Sequence, residues 1–302
     1  MIVIKNLRKH YGSVTAVDDL SISLPGGNIH AVLGPNGAGK TTTVRILSTL
    51  TKPTSGTASI GGYDVSTQPL QVKQQIGVVH QTLNFDPELT GEESLLIHGL
   101  LYGMSRASIR NRMKDLLEFA DIAGAAGRMV STYSGGMKRR LSIARAMMHQ
   151  PRVILLDEPT VGLDAHTRRR VWDLIRKLRD EGSTIVLTTH YIEEAEVLAN
   201  NVIIIDHGRM IAEGSPSELI AGAGAVAVDH FGSSGTRTTF FETRHQASEF
   251  ISTLDARATI RRANLEDVFI RLTGRRVNPN ELEGGAGNAT NHGHHSTRAH
   301  HS

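Results

Sequence analysis

The sequence predicts an α/β fold, a sheet covered by helices on both faces, and three observations carry that expectation. Short β-branched runs recur along the chain, helical stretches alternate with them, and several of the runs are apolar on both sides, as strands buried under two helical layers are. The strand candidates are Ile2 to Ile4, Ile29 to Leu33, Ile76 to Val79, Val153 to Leu156, Ile185 to Thr189 and Val202 to Ile205. Helical stretches lie between them at Lys40 to Leu50, Ser108 to Ala120, Lys138 to His149 and Ala165 to Glu181.

One segment breaks the alternation. From about Pro87 to Met129 only helical signals occur, and they stand between two strands. This stretch is read as a helical subdomain inserted in the core, about residues 87–150, within a main domain of residues 1–220. After Leu219 the texture changes to small residues, then a polar Thr-rich run, a basic strand candidate at Ala258 to Arg262 and a last helix capped by Asn264. Residues 221–277 are therefore expected to form a small accessory α+β domain. The tail, 278–302, is dominated by Gly, Asn, Ser and His, has no apolar periodicity, and is expected to be disordered.

Composition excludes several function classes. Of 302 residues, 33 are Lys or Arg and 30 are Asp or Glu, a balance too even to argue for a nucleic-acid surface. There is no cysteine, which removes disulfide frameworks and thiolate metal sites. The start, MIVIKNLRKH, lacks the continuous apolar core of a secretion signal, and the longest apolar runs are far too short to span a bilayer.

Chemistry first appears in the run Gly34-Pro35-Asn36-Gly37-Ala38-Gly39-Lys40-Thr41, with Thr42 following. It fits G-x-x-x-x-G-K-S/T, leaves a strand and opens a helix, which is the context a phosphate loop requires. Glycines there let backbone N–H groups turn inward around phosphates at a helix N-terminus. In such a loop Lys40 reaches the β and γ phosphates of a nucleotide, and the Thr41 hydroxyl coordinates magnesium.

A second strand, Val153-Ile-Leu-Leu-Asp157-Glu158, ends in two carboxylates. Taken alone, an apolar strand that stops at a solvated acidic turn is the commoner source of such a pair. Beside a phosphate loop, Asp157 suits a magnesium ligand acting through water, and Glu158 suits a general base for the attacking water.

Upstream of that strand stands Tyr133-Ser134-Gly135-Gly136-Met137-Lys-Arg-Arg, and with it the sequence resembles the ATP-binding cassette (ABC) family over about residues 1–220. The resemblance implies a phosphate-loop core with an antiparallel β subdomain and an inserted helical subdomain. It implies that Tyr11 stacks on adenine, that Gln81 contacts magnesium and water, and that His190 contacts the γ-phosphate. Ser134, Gly135 and Gly136 match the signature that caps ATP bound to an opposite subunit, and Asp164 matches the loop by which two sites sense each other. The catalytic set is then Lys40, Gln81, Glu158 and His190, and the magnesium set is Thr41, Gln81 and Asp157.

Physics supports the signature independently, because Ser134 to Gly136 precede a helix whose positive end faces a phosphate. Met137 stands where glutamine is usual and Tyr133 where leucine is usual, a pattern similar to the drug-resistance and nodulation-factor exporters. The segment Asn264-Leu-Glu-Asp-Val-Phe-Ile-Arg-Leu-Thr-Gly274 is similar to the C-terminal signature of the daunorubicin-resistance ATPases. The resemblance thus implies an ATP- and Mg2+-dependent homodimer, or a pair with a second cassette, at the cytoplasmic face of the cell membrane, peripheral to it and driving a separate transmembrane permease. Export of a drug-like or lipid-like molecule is the main reading. An import cassette, a soluble cassette ATPase acting on ribosomes or nucleic acid, and a regulator without turnover are the alternatives.

Two weaker signals complete the reading. Arg168 to Arg170 with Arg176, Lys177 and Arg179 make a basic helix, read first as a solvated face. His292, His294, His295, His300 and His301 could chelate a metal, but no other ligand type completes a site and a flexible polar tail is the simpler account.

Overall fold

A computed structural model describes residues 1–232, 235–254, 256–274 and 277. The tail histidines and the expected disorder of residues 278–302 lie outside the described residues. The chain opens with an antiparallel hairpin, β1 (Ile2–Tyr11) and β2 (Val14–Leu24), then β3 (Ile29–Leu33), which runs into the Gly34–Gly39 loop and α1 (Lys40–Leu47). The segments β4 (Ser55–Ile60) and β5 (Tyr63–Asp64) return to the hairpin and complete a four-stranded sheet ordered β2-β1-β4-β5.

Strand periodicity finds only Ile2 to Ile4 of this sheet, for a physical reason. The apolar alternation Ile2, Ile4 would continue at Asn6, but the buried residue is Leu7. A register shift lies between Ile4 and Leu7, and Asn6 takes a left-handed φ of 46°. Opposite it, Asp19 has φ 58°, so that Leu7 faces Leu20 and the Asn6 amide donates to Asp19 at 3.2 Å. Paired irregularities reverse the phase in both strands, and a period-two search stops at the first. The strand β4 is missed for a different reason: of Ser-Gly-Thr-Ala-Ser-Ile only Ala58 and Ile60 are buried.

The chain continues through α2 (Pro69–Gln75) into β6 (Ile76–Val79). Then come α3 (Gly91–Leu101) and α4 (Arg106–Phe119), two short 3-10 turns, and α5 (Gly135–Ala146). Thr90 and Glu93 form a capping box on α3, and Ser105 caps α4, which fixes where each helix begins. The rest of the core is β7 (Val153–Asp157), α6 (Ala165–Asp180), β8 (Thr184–Thr189), α7 (Ile192–Leu198), β9 (Asn201–Asp206) and β10 (Arg209–Gly214).

The central sheet is ordered β10-β9-β3-β8-β7-β6, parallel except for the antiparallel edge strand β10. Its strands are buried on both faces by alternate residues. Ile29, Ala31, Leu33, Ile154 and Leu156 face one core with the helices, whereas Val32, Val153, Leu155 and Val186 face a second core with α1 and the antiparallel sheet. The α/β expectation is met.

The final elements are α8 (Pro216–Ala223), β11 (Val226–Gly232), β12 (Gly235–Phe241), α9 (Arg244–Ser252), β13 (Ala258–Arg262) and α10 (Leu265–Thr273). The three strands form an antiparallel sheet ordered β12-β11-β13. Buried Leu265, Val268 and Phe269 carry α10 into the same core as Ala195 and Leu198 of α7. The guanidinium of Arg261 bridges Asp229 at 2.7 Å and Asp267 at 2.6 Å, joining β13, β11 and α10.

Candidate nucleotide site

Four neighbouring strands, β3, β8, β7 and β6, point their carboxyl ends the same way, and the loop leaving each carries a candidate residue. The Gly34–Gly39 loop leaves β3, His190 follows β8, Glu158 follows β7, and Gln81 follows β6.

The loop after β3 is shaped by its glycines. A Cβ on Gly34 would lie 2.3 Å from the Ile205 carbonyl oxygen, and one on Gly39 would lie 2.4 Å from that of Ala16. The Lys40 ammonium folds back over the loop and donates to the carbonyls of Gly34 at 2.8 Å and Pro35 at 3.0 Å. It is buried, and it meets Glu158 Oε1 at 3.2 Å. Burial pulls its pKa below the ordinary lysine value, while Glu158 and Asp157 push the other way.

Glu158 is as buried as Lys40 and breaks from the strand with φ 50°, an unusual conformation for a side chain of its type. The turn is held because its amide donates to both the carbonyl and the hydroxyl oxygen of Thr188, each at 3.1 Å. Its second carboxylate oxygen lies 2.8 Å from His190 Nδ1, a close contact that is not aligned as a hydrogen bond. One carboxylate therefore stands between an ammonium and an imidazole brought together from positions 40 and 190.

Asp157, still in β7, accepts from Thr41 Oγ1 at 3.1 Å and from Thr188 Oγ1 at 2.6 Å. Thr41 and Asp157 present converging hard oxygens, the donor type magnesium takes, so the residues present fit that ion. Asn36 and Gly37 are exposed at the loop tip, Pro35 and Thr42 are half-buried, and Ala38 is buried. Gln81 is exposed. Tyr11, which ends β1, is 45% exposed, and Lys9 Nζ lies 4.8 Å from its ring centre.

The signature differs in one respect from the sequence expectation, which starts the helix at Lys138. In the structure α5 begins at Gly135, because the Ser134 hydroxyl caps it by accepting from the Met137 amide at 3.2 Å. Gly135 and Gly136 thus form its first turn. A Cβ on Gly136 would lie 2.2 Å from Thr167 Cγ2, which places the signature directly against the start of α6. Asp164 caps that helix, accepting from the Thr167 amide at 2.9 Å and hydroxyl at 2.6 Å, and these bonds hold its carboxyl below the ordinary value. The basic face of α6 is partly engaged: Arg168 lies over the Tyr191 ring at 4.6 Å, and Arg170 meets Asp121 at 3.5 Å.

Sequence reasoning missed Glu194. This residue of α7 is 1% exposed and accepts from Thr160 at 2.8 Å and from Trp172 at 3.0 Å, tying α7 to the segment after Glu158 and to α6. An acidic residue in the polar run Glu193-Glu194 reads as solvated, and only its position on the inward face of α7 makes it internal. Burial raises its carboxyl above the ordinary value, against the hydrogen bonds from Thr189, Thr160 and Trp172. Stability contributed by the protonated form is complete below the ordinary carboxyl range and is lost as pH rises through the raised value. Glu194→Gln removes that loss, so the melting temperature of the variant relative to the parent is expected to climb as pH rises above the ordinary carboxyl range. A difference that stays constant across thermal melts over that rise in pH would contradict the assignment.

Residues 17–161 match the ABC transporter family. The Nod factor export ATP-binding protein I of Cupriavidus metallidurans is 41% identical over 295 residues, which cover 90% of this chain and 97% of that protein. The daunorubicin/doxorubicin resistance ATP-binding protein DrrA of Streptomyces peucetius is 46% identical over 219 residues, 72% of this chain and 66% of that protein. Among solved structures, an ATP-binding subunit of an ABC transporter aligns with TM-score 0.66 and 28% identity over 72% of this chain and 91% of its own. A dimeric ATP-binding cassette in a post-hydrolysis state with ADP and phosphate aligns with TM-score 0.64 and 29% identity, over 71% of this chain and 98% of its own. The glycine-rich loop before Lys40, the acidic end of β7 and His190 gather at the carboxyl ends of neighbouring parallel strands, and the Nod factor export relative is alike over 90% of the chain, which leads to one conclusion: it belongs to the ABC transporter family, as an ATP-binding subunit with the nucleotide-binding fold of that family's ATPases.

Proposed function

We propose that this chain drives export of a drug-like or lipid-like molecule, working as a face-to-face homodimer on the cytoplasmic face of a membrane and moving a separate permease. The observation that carries the catalytic part is the placement of Glu158 between Lys40 and His190 at the mouth of the phosphate loop. Export is supported by the relatives named for Nod factor export and for daunorubicin resistance, the first of them alike well beyond the cassette itself.

Lys40 exchanges the carbonyls of Gly34 and Pro35 for the β and γ phosphates of ATP, a charge-assisted replacement for neutral bonds. Glu158 takes the proton from the attacking water. His190 donates toward the γ-phosphate, and the backbone amides between Asn36 and Thr42 hold the rest of the chain of phosphates. Thr41 and Asp157, with Gln81, would hold magnesium, which supplies charge neutralisation between the phosphates when bound. Tyr11 offers its exposed ring to adenine. The first turn of α5, led by Ser134, presents its positive end to a nucleotide on the facing subunit.

A permease contact is supported by the surface beside the Gln81 loop. A groove of about 260 Å³ runs there, lined by Leu50, His80, His98, Tyr102, Arg145 and His149 among others. Beside it Ile97, Leu100 and Leu101 at the end of α3 stay exposed, as does Leu50. Clustered apolar side chains of this kind mark a protein contact. Among the described residues no helix is long and apolar enough to cross a membrane, so this reading assigns the crossing to the partner.

The facing arrangement has a direct test, since the chain contains no cysteine. Asn36 is exposed, and Gly135 accepts a Cβ with no neighbour nearer than 3.9 Å. Asn36→Cys combined with Gly135→Cys, in a Glu158→Gln background, is expected to crosslink two subunits when ATP is added. Equal crosslinking with and without ATP, or none in either case, would remove the dimer from the proposal.

A further inference from the structure

The residue that follows Lys138 has no part in the site as described, yet it is among the most buried charges in the protein. Arg139, in the second turn of α5, is 3% exposed. Its Nη1 donates to the carbonyl of His80 at 2.8 Å, and its Nη2 donates to the carbonyls of Gln81 at 3.1 Å and, at the long limit of 3.5 Å, Glu158. Those carbonyls belong to the segments leaving β6 and β7, which pair in parallel. One planar guanidinium therefore clamps the backbone at the two neighbouring strand ends that carry Gln81 and Glu158. The clamp is rooted in the helix whose first turn is Gly135 and Gly136.

We propose that Arg139 is a positioning residue for ATP hydrolysis, transmitting the position of the signature helix to the Gln81 loop and to Glu158. The inference rests on the roles given above to Gln81 and Glu158. Two features support it beyond the contacts themselves.

The first is energetic. Every hydrogen-bond acceptor of Arg139 is a neutral carbonyl, and burial pulls its pKa below the ordinary arginine value, with Glu194 and Asp157 only partly restoring it. A charge buried against neutral acceptors carries a desolvation cost that its hydrogen bonds only partly offset, so it stabilises a fold poorly. What the guanidinium supplies is geometry, since its fork can hold several acceptors in fixed relation and a lysine cannot.

The second is mechanical. Glu158 leaves its strand with φ 50°, so small shifts of its carbonyl reorient its carboxylate between Lys40 and His190. When ATP on the facing subunit draws in the first turn of α5, Arg139 carries that displacement to the backbone at positions 80, 81 and 158. Capping of one nucleotide is thereby linked to base placement in the other site of the pair.

The test measures kcat and KM for ATP hydrolysis, the Kd of a fluorescent ATP analogue and the melting temperature on the full chain. Arg139→Met is expected to lower kcat by about 10- to 100-fold, because misplacement of a catalytic group by a fraction of an ångström to one ångström costs on that order. Its nucleotide Kd stays within about twofold of the parent, and its melting temperature falls only modestly, because the loss of a donor to three carbonyls is partly offset by removal of a desolvated charge. Arg139→Lys keeps the charge and a donor for these carbonyls, and shows the same split at about three- to tenfold. Wild-type kcat in both variants, or parallel loss of affinity, melting temperature and turnover in both, would overturn the positioning role. Glu158→Gln in the same assay separates the two levels: if it keeps turnover the site reading fails, whereas if it is inactive and the Arg139 variants are not, only the coupling fails.

Discussion

Replacing Glu158 by Gln is expected to lower kcat for ATP hydrolysis by about 10²- to 10⁴-fold, the range a positioned general base contributes. The amide keeps the shape of the carboxylate and an oxygen for the Lys40 ammonium, now 3.2 Å from Oε1. It cannot take a proton from water. Binding and turnover therefore separate: ATP affinity is retained, and subunits closed around ATP stay closed because nothing removes the γ-phosphate. The Nδ1 of His190 keeps a neighbour where Oε2 now lies at 2.8 Å, so the imidazole is not displaced by the change. A phosphate-release assay under single-turnover conditions, with size-exclusion chromatography in ATP, reads both parts. Release at the parent rate would show that another group activates the water.

Lys40→Ala is expected to act in the opposite way, on binding before chemistry. Charge-assisted hydrogen bonds contribute about 1.5–3 kcal/mol each, so losing the ammonium weakens ATP binding by about 10- to 100-fold or more. It also changes the unliganded protein. Glu158 is 4% exposed and Lys40 5%, and removing one member of a buried pair costs about 3–5 kcal/mol because the other is left without its counter-charge. The carbonyls of Gly34 and Pro35 lose their donor at the same time. Calorimetric titration with ATP and a thermal melt without it check the two effects. Affinity within twofold of the parent would discard the phosphate-loop assignment, and an unchanged melting temperature would show that water replaces the ammonium beside Glu158.

These two residues also show how far local pattern reaches. Lys40 is legible because its function depends on neighbours in sequence, the glycines on one side and the helix start on the other. Glu158 is legible as a carboxylate at a strand end. Its left-handed φ and its contacts with Lys40 and His190 are not, since they arise between segments 118 and 32 residues away. Asp164 and Ser134 are singled out in the sequence by the family resemblance. Their roles as helix caps, and the contact of Gly136 with Thr167, appear only when α5 and α6 pack.

What the amino-acid order determines by itself here is what depends on short range. Strands with both faces apolar, the helix capped by Asn264 and a glycine-rich loop before Lys40 follow from side-chain chemistry within a few residues. The caps at Thr90 and Ser105 emerge only in the structure, the sequence placing the second of these helices from Ser108. Tertiary structure decided what depends on distant partners. The paired irregularities at Asn6 and Asp19 exist because two strands meet there, and Arg139 and Glu194 look like surface charges until α5 and α7 turn them inward. A charge in a polar run carries no local mark of burial, because burial is a property of what packs against it.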